Sequence, residues 1–228
     1  MAYCGKEIVN RSKYKELAQK KCHKGAGHAG PCAEFPYLEL LGREHPAVRS
    51  KIVRDSTMTT GAAWKSEDAG PNRILRWVML LDDETLKQEY GLDMSKLKPG
   101  VVAKLREKAA TYDDCMEVAA KLTWVAYQMA GAPVPDVATK QYLEKRFGPI
   151  QDGSTTCVVC KAPLSFELFK QAARGKAEIE TAHKNPRFHN ADNVGFAHRA
   201  CNIAQGNKTL SEFYEWIKGI ISRAEAGS

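Results

Sequence analysis

The sequence lacks any run of about 18 or more apolar residues, so no segment has the length and composition of a membrane-spanning helix. Its first residues read MAYCGKEIVNRSKY, without the apolar stretch of a secretory signal peptide. Internal repeats and low-complexity tracts are also missing. We therefore expect a cytosolic globular protein, whose seven cysteines are thiols or metal ligands rather than disulfides.

The net charge of +7 over 228 residues is concentrated in two segments. Residues 1–60 carry +5 (11 Lys/Arg against 6 Asp/Glu) and residues 157–210 carry +4 (8 against 4). The same two segments contain six of the seven cysteines. Basic surface beside metal-ligand clusters suits a polyanionic partner such as nucleic acid, although a solvated basic face without a partner explains the charge equally well.

The chain divides into three regions with different patterns. Residues 1–70 are rich in Gly, His, Cys and Lys and show little helical periodicity. Within them FPYLELL fits a short helix or strand, and an extended loop is predicted over residues 54–73. Residues 71–150 predict a small helical bundle, with helices over 74–90, 99–110, 111–131 and 134–148, of which the third is capped by Thr111 or Asp113. The predicted core of this bundle comprises Trp77, Met79, Leu80, Leu81, Cys115, Trp124, Tyr127 and Met129.

Residues 151–228 contain two close pairs of metal-ligand residues. Cys157 and Cys160 are separated by two residues, so one tight turn can present both thiolates to the same ion. His198 and Cys201 repeat this spacing about forty residues later. A closed Cys3His set of this kind is typical of structural zinc, whereas a redox dithiol would not need the second pair.

Between these pairs runs IETAHKNPRFHNADNVGFAHRACNIAQGNK. His183 precedes Asn185-Pro186, Asn193 precedes Val-Gly-Phe, and Asn202 follows Cys201. This order closely resembles the HNH, or ββα-metal, nuclease family in its H–N–N form, over about 50 residues. The resemblance implies an α+β fold: a mostly helical N-terminal and middle region with a small zinc-binding module, then a C-terminal ββα-metal (HNH) domain and an amphipathic helix. It also implies an endonuclease that leaves a 5′-phosphate.

The resemblance assigns a role to each motif residue. His183 would be the general base that activates water, because a histidine can accept a proton near neutral pH. Asn202 would offer its amide oxygen to a catalytic Mg²⁺ or Mn²⁺, and Asn193 would fix the loop that orients His183. Many family members carry a metal-binding Asp or His directly before the catalytic histidine, where this sequence has Ala182.

A substitute ligand is therefore needed. Glu180, two residues earlier on the predicted strand, is the leading candidate for the catalytic metal, with His189 and Asp192 as weaker ones. Another helix position often used by the family, four residues after Asn202, is Gly206 and has no side chain to offer.

The N-terminal region contains a second group of metal-ligand residues. Cys4, Cys22, His28 and Cys32 would form another Cys3His zinc site, with His23 as an alternative to His28. Such a staple would order a stretch that lacks an apolar core, and it brings the predicted number of structural zinc ions to two. The alternative is a set of scattered thiols in a reducing compartment.

Double-stranded DNA is the expected partner, with residues 1–70 as the recognition region, 71–150 as the helical block and 151–228 as the nuclease domain. The basic residues predicted to contact DNA are Lys184, Arg187, Arg199 and Lys208 near the motif, and Arg49, Lys51, Arg54, Lys65, Arg73 and Arg76 earlier in the chain.

A nuclease with its own recognition region suggests a site-specific restriction-type or phage endonuclease, acting as a homodimer or as a nicking monomer. The alternative function is a non-cleaving, zinc-containing DNA-binding protein on a degenerate HNH fold, which Ala182 and Gly206 favour. An RNA substrate is a third reading.

The last predicted element is an amphipathic helix over residues 207–225. Thr209 and Glu212 fit a capping box at its start. Its apolar face, expected to pack on the rest of the protein or less readily to mediate dimerisation, consists of Leu210, Phe213, Tyr214, Ile217, Ile220 and Ile221.

Overall fold

The structure, a computed structural model, describes residues 4–7, 21–24, 26–27, 33–60, 73–173 and 176–226. Its helices are α1 Glu39–Glu44, α2 Pro46–Thr57, α3 Asp83–Tyr90, α4 Pro99–Glu107, α5 Tyr112–Tyr127, α6 Val137–Phe147, α7 Arg199–Gln205 and α8 Leu210–Ala226. Its strands form three antiparallel pairs: β1 Met58–Thr60 with β2 Arg73–Leu75, β3 Ala172–Ala173 with β4 Lys176–Ala177, and β5 Ile179–His183 with β6 Val194–His198. The mixed α+β class predicted from the sequence is confirmed.

Helix α5 lies at the centre of the fold. It begins at Thr111, one of the two predicted caps, whose hydroxyl accepts a hydrogen bond from the Asp114 N–H at 3.1 Å in a complete capping box. Its buried side includes Cys115, as predicted. The helix packs against α2 on one side and β6 on another. One hydrophobic core therefore joins the helical region to the C-terminal strands.

The β5–β6 hairpin runs directly into α7, in the predicted strand–strand–helix order. Ile179 is paired with His198 at one end of the hairpin, and His183 with Val194 at the other. Since α7 begins at Arg199, the residue after β6, the hairpin fixes the position of the helix. The strand side chains at 179 and 182 are buried, which attaches this unit to the core.

Three predictions for the first half of the chain are wrong. Helices α1 and α2 occupy much of the region that shows little helical periodicity in the sequence. FPYLELL adopts the helical one of its two predicted forms, beginning with a 3-10 turn over Pro36–Leu38. The predicted loop over 54–73 is instead the end of α2 and strand β1 as far as residue 60. Residues 61–72 lie outside the described part of the chain.

The predicted helix over residues 74–90 is also divided. Strand β2 and a 3-10 helix, Arg76–Leu80, precede α3, because Asp82 caps a new helix by accepting a hydrogen bond from the Thr85 N–H at 2.8 Å. This division turns Leu80 outward, where it is 54% exposed rather than part of the core. The other predicted core side chains of the region are buried or half-buried.

Helix α8 begins with the predicted capping box, in which Glu212 accepts from the Thr209 N–H at 2.8 Å. Its first half packs on the body of the protein through the buried Phe213. In its second half Ile220 and Ile221 are 40% and 50% exposed, so the predicted apolar face is only partly covered. None of the described helices has the length and apolarity needed to cross a membrane.

Candidate active site

The four predicted ligands of the C-terminal metal site come together. The ligand atoms of Cys157, Cys160, His198 and Cys201 all lie within 4.8 Å of one another. Cys160 Sγ is 3.4 Å from His198 Nδ1, and the Cys160 N–H donates to Cys157 Sγ at 3.4 Å. A tetrahedral zinc with bonds of ~2.3 Å to sulfur and ~2.0 Å to nitrogen separates neighbouring ligand atoms by about 3.5–3.8 Å. The cluster could therefore bind a metal such as zinc.

The cysteine turn is attached to the hairpin by backbone contacts. The Val158 N–H donates to the Phe196 carbonyl of β6 at 3.0 Å, across from Gly195. A Cβ atom at position 195 would lie 2.5 Å from Cγ1 of Val158, closer than side-chain atoms can approach. Glycine at this position therefore permits the turn to lie against the strand. His198 at the end of β6 and Cys201 in the first turn of α7 then complete the ligand set.

A cavity of about 170 Å³ brings together the two motif residues with assigned chemistry. His183 at the end of β5 and Asn202 on α7 both line it. Arg76, one of the predicted DNA contacts, lines it as well. The remaining lining residues are Lys108, Thr181, Pro186, Phe188, His189, Gln205, Gly206 and Asn207.

One neighbour contacts the ring of His183 and another contacts its backbone carbonyl. Its Nε2 lies 3.0 Å from Nδ1 of His189, and its carbonyl accepts a hydrogen bond from Gln205 Nε2 at 2.8 Å. Burial, together with the nearby positive charges of Arg76 and Lys108, lowers the pKa of His183 to about 3. The ring is therefore neutral at physiological pH and carries one free lone pair.

Asn193 stabilises the loop that connects β5 and β6. Its Oδ1 accepts from the Asn185 N–H at 2.8 Å, and its Nδ2 donates to the carbonyls of Asn185 and Phe188. These bonds satisfy backbone N–H and carbonyl groups of the loop that lie beyond the hydrogen bonds between β5 and β6. Its bonds are to the loop backbone, whereas the ring of His183 is held by His189.

Glu180, the expected substitute metal ligand, lies elsewhere. Its Oε2 pairs with Nζ of Lys51 at 3.0 Å, and it lines a separate cavity with Lys51, Arg54 and Phe169. Ala182, at the position where many HNH nucleases carry a ligand, is buried in the core. Among the described residues, the cavity of His183 is lined by no carboxylate.

Gly206 has a structural role at the end of α7. It follows the last helical residue with φ +59°, a backbone conformation that favours glycine. The position four residues after Asn202 therefore ends the helix, which accounts for the missing side chain there.

The predicted DNA contacts fall into several environments. Lys51 is only 8% exposed and pairs with Asp55 at 2.9 Å as well as with Glu180, so its prediction as a surface contact is wrong. Arg54 is half-buried and also pairs with Asp55. Residue 65 and the side chain at 73 lie outside the described part. Arg49, Lys184 and Arg187 are exposed, and Arg199 and Lys208 are half-buried.

The N-terminal cluster is described only in part. Cys4 and Cys22 lie on adjacent segments, because the Cys4 N–H donates to the Lys24 carbonyl at 2.9 Å and the Gly5 N–H donates to the Cys22 carbonyl at 3.1 Å. Their predicted partners at positions 28 and 32 lie outside the described residues. The second zinc site therefore stays a prediction.

Sequence reasoning missed Lys108 and Gln205 entirely and considered His189 only as a weak metal ligand. Lys108 directly follows α4, far from the motif in sequence, and nothing in its local sequence predicts its position in the cavity. His189 lies in the loop between two motif elements, which was the available signal. Gln205 is three residues after Asn202 on α7, so both lie on one face of the helix.

Comparisons with known proteins show which family the chain resembles. A family model described as DraIII matches residues 34–201, more than half of the chain. A solved structure described as "Crystal structure of a type II restriction endonuclease" is similar over 99% of this chain and 100% of its own length, with 48% sequence identity and a TM-score of 0.85. No curated protein sequence matches the chain. Because the family match extends from the segment before α1 to the first turn of α7, this protein belongs to the DraIII family.

Proposed function

We propose that the protein is a metal-dependent DNA endonuclease of the restriction type, with an HNH active site. The observation that carries the proposal is the cavity in which His183, Asn202 and two cations meet at the junction of a ββα unit. Similarity over the full length to a type II restriction endonuclease supports the same activity.

The chain's own residues account for the proton transfer. A water molecule loses a proton to the neutral ring of His183 and attacks the phosphorus atom. The bond from phosphorus to the 3′ oxygen then breaks, the leaving oxygen takes a proton from solvent, and the product carries a 5′-phosphate. A divalent cation, when bound, would polarise the scissile phosphate and stabilise the charge on the leaving oxygen.

The donor set of the cavity fits a weakly held Mg²⁺ or Mn²⁺. Asn202 offers an amide oxygen, and no carboxylate of the described residues lines the cavity. Mg²⁺ is commonly bound through one or two carboxylates together with water and substrate phosphates, so a cavity that offers one amide oxygen would hold it weakly. Glu180 is engaged by Lys51, so we expect the phosphate oxygens to complete the coordination.

Arg76 and Lys108 are suited to hold the scissile phosphate. The guanidinium of Arg76 donates to the carbonyls of Lys108 and Asp55, at 2.9 and 3.2 Å, which fixes its position. Its buried Nε has no hydrogen-bond partner among the described residues. Two cations in a partly dehydrated cavity would stabilise the extra negative charge of the transition state.

The Cys3His cluster would hold a structural zinc, and the N-terminal cysteines with His28 would hold a second. Four protein ligands close the coordination sphere, so neither ion would take part in the reaction. Arg49, Lys184 and Arg187 are exposed and are the described candidates for contacts to the DNA backbone outside the cavity.

Plasmid cleavage in Mg²⁺, Mn²⁺ and Ni²⁺ tests the proposal. His183→Ala is expected to lower the cleavage rate by about 10³-fold while leaving DNA affinity in a gel-shift assay unchanged. A protein that binds DNA but cleaves none of a varied set of DNA substrates would support the non-cleaving alternative. Competition between DNA and RNA substrates decides the target.

Lys108→Ala and Lys87→Ala make a matched pair for the phosphate contact, since both remove one positive charge. Lys108 lines the cavity, whereas Lys87 is exposed on α3. We expect Lys108→Ala to lower the rate by about 10²-fold and Lys87→Ala to leave it unchanged. Equal effects of the two substitutions would contradict the role of Lys108.

The exposed half of α8 favours a homodimer over a nicking monomer. Trp216, Ile220 and Ile221 leave an apolar strip uncovered on this helix. Light scattering measures the oligomeric state directly. A monomeric wild type, or a dimer unaffected by Ile220→Glu, would contradict dimerisation through this surface.

A further inference from the structure

His189 connects the candidate general base to a distant part of the fold. It lies in the loop between β5 and β6 and is only 5% exposed. On one side its Nδ1 is 3.0 Å from Nε2 of His183. On the other side its Nε2 is 2.8 Å from the backbone carbonyl of Ser56, in the last turn of α2. The three groups form a hydrogen-bonded chain that the HNH motif does not predict.

The proton positions in this series of hydrogen bonds follow from the Ser56 carbonyl, which is always an acceptor. A backbone carbonyl can only accept, so Nε2 of His189 must carry a proton. Burial lowers the pKa of His189, and the positive charge of Arg76 lowers it further, so the ring is neutral and its Nδ1 has a lone pair. The hydrogen bond to His183 therefore requires the proton to be on Nε2 of His183. The lone pair of His183 is left on Nδ1.

We propose that His189 is a positioning residue that orients the ring of His183 and selects Nδ1 as the nitrogen that accepts the proton from water. This inference rests on the proposed function. His189 itself need not touch DNA, water or metal. Its contribution is to hold the base in one rotamer and one tautomer before the substrate binds, which removes the cost of selecting them during the reaction.

The chain also stabilises the protonated base. When Nδ1 of His183 accepts a proton, the ring becomes a cation whose Nε2–H still donates to His189. The Ser56 carbonyl accepts from the opposite side of His189, so the dipoles of the chain favour the positive charge. The other charged groups that face His183 are Arg76 and Lys108, which oppose protonation, and Asp55, which favours it. A bound phosphate would offset the two cations.

The alternative is that His189 only fills space between the loop and α2. Two substitutions separate these roles. In His189→Asn the amide oxygen occupies the place of Nδ1 and can still accept from His183, although it no longer reaches Ser56. In His189→Leu the volume is retained, but the acceptor is removed. A packing role therefore predicts similar losses of activity in both variants. A positioning role predicts that His189→Asn keeps most of the activity that His189→Leu loses.

Cleavage kinetics with saturating Mg²⁺ provide the first test. We expect kcat to fall by about 10²-fold in His189→Leu and by less than about tenfold in His189→Asn, with KM for DNA unchanged in both. Equal kcat values in the two variants, or a loss confined to KM, would overturn the proposal. If His183→Ala cleaves as fast as the wild type, the proposed function fails instead.

Nitrogen-15 NMR of the histidine rings in the wild-type protein provides a test that needs neither activity nor a folded variant. We expect both His183 and His189 to be neutral at pH 7 and protonated on Nε2, with scalar coupling across the hydrogen bond between them. A doubly protonated ring, or a proton on Nδ1 of either histidine, would overturn the proposal whatever the cleavage assay shows.

Discussion

Replacing Lys51 tests whether this lysine stabilises the fold rather than contacting DNA. Its ammonium group lies 2.9 Å from Asp55 and 3.0 Å from Glu180, in a site where the side chains of Lys51 and Asp55 are each 10% exposed. Asp55 also accepts from the Thr181 hydroxyl at 3.0 Å, on the strand that carries His183. Lys51→Met keeps most of the volume of the side chain and removes its charge.

The magnitude follows from the burial of the pair. Removing one partner of a buried ion pair costs about 3–5 kcal/mol, because the other charge stays buried without compensation. Arg54 still pairs with Asp55 at 2.7 Å, so we expect the lower end, about 3 kcal/mol. For a chain of this length, that loss lowers Tm by about 6–12 °C.

The pH dependence gives an independent check. Burial would raise the pKa of Asp55, but Lys51 and Arg54 outweigh burial and lower it. The stabilisation by the ionised carboxylate is therefore present at neutral pH and is lost as the pH falls through the folded-state pKa. In Lys51→Met the pKa of Asp55 rises, so the stability difference from wild type is largest near pH 7 and shrinks towards about pH 4.

Urea unfolding and DNA-binding assays on the same preparations measure the outcome. Lys87→Met is the matched control, since Lys87 is exposed and pairs with Asp93 at 3.7 Å, a surface contact worth about 0.5 kcal/mol. Asp55→Asn added to Lys51→Met should restore part of the lost stability. If Lys51→Met is as stable as wild type but binds DNA more weakly, the structural role is refuted and the original DNA-contact prediction returns.

Three further predictions concern the metal centre and the histidines. Cys201→Ser should remove one zinc per chain, measured by elemental analysis, and abolish cleavage. The control Cys115→Ala lies outside the cluster and should retain the zinc. An unchanged zinc content in Cys201→Ser would contradict the ligand assignment. Gly195→Val should lower the free energy of unfolding by about 1–3 kcal/mol, because its side chain clashes with Val158. Adding Val158→Ala should recover part of this loss. Equal stability of the wild type and Gly195→Val would refute the close approach of residues 158 and 195. Burial lowers the pKa values of both His183 and His189, so the unfolded chain binds protons that the folded chain does not. Lowering the pH from 7 to 5 should therefore destabilise the protein by about 2 kcal/mol per histidine, and His189→Asn should lose about half of this pH dependence in urea titrations.

The residues that depend on local spacing could be predicted from the sequence. Cys157 and Cys160, and His198 and Cys201, are close because a tight turn and the first turn of a helix each bring residues three apart together. The cap of α5 at Thr111 and the capping box at the start of α8 are also local, since a helix start requires only groups within one turn. The strand–strand–helix order, in contrast, is predicted from the resemblance to the HNH family.

The surroundings of His183 depend on tertiary contacts that no spacing encodes. Lys108, directly after α4, lines the cavity, whereas the Ser56 carbonyl in the last turn of α2 contacts His189. The sequence predicts Lys51 as a DNA contact because it shows the charge of Lys51 but not the buried Asp55 and half-buried Glu180 beside it. The sequence by itself thus predicted the Cys3His cluster, whose pairs are local, and named the candidate residues His183, Asn193 and Asn202. Only the tertiary structure decided which charges are buried and which neighbours orient the base, because burial and hydrogen-bond partners arise from packing between distant segments.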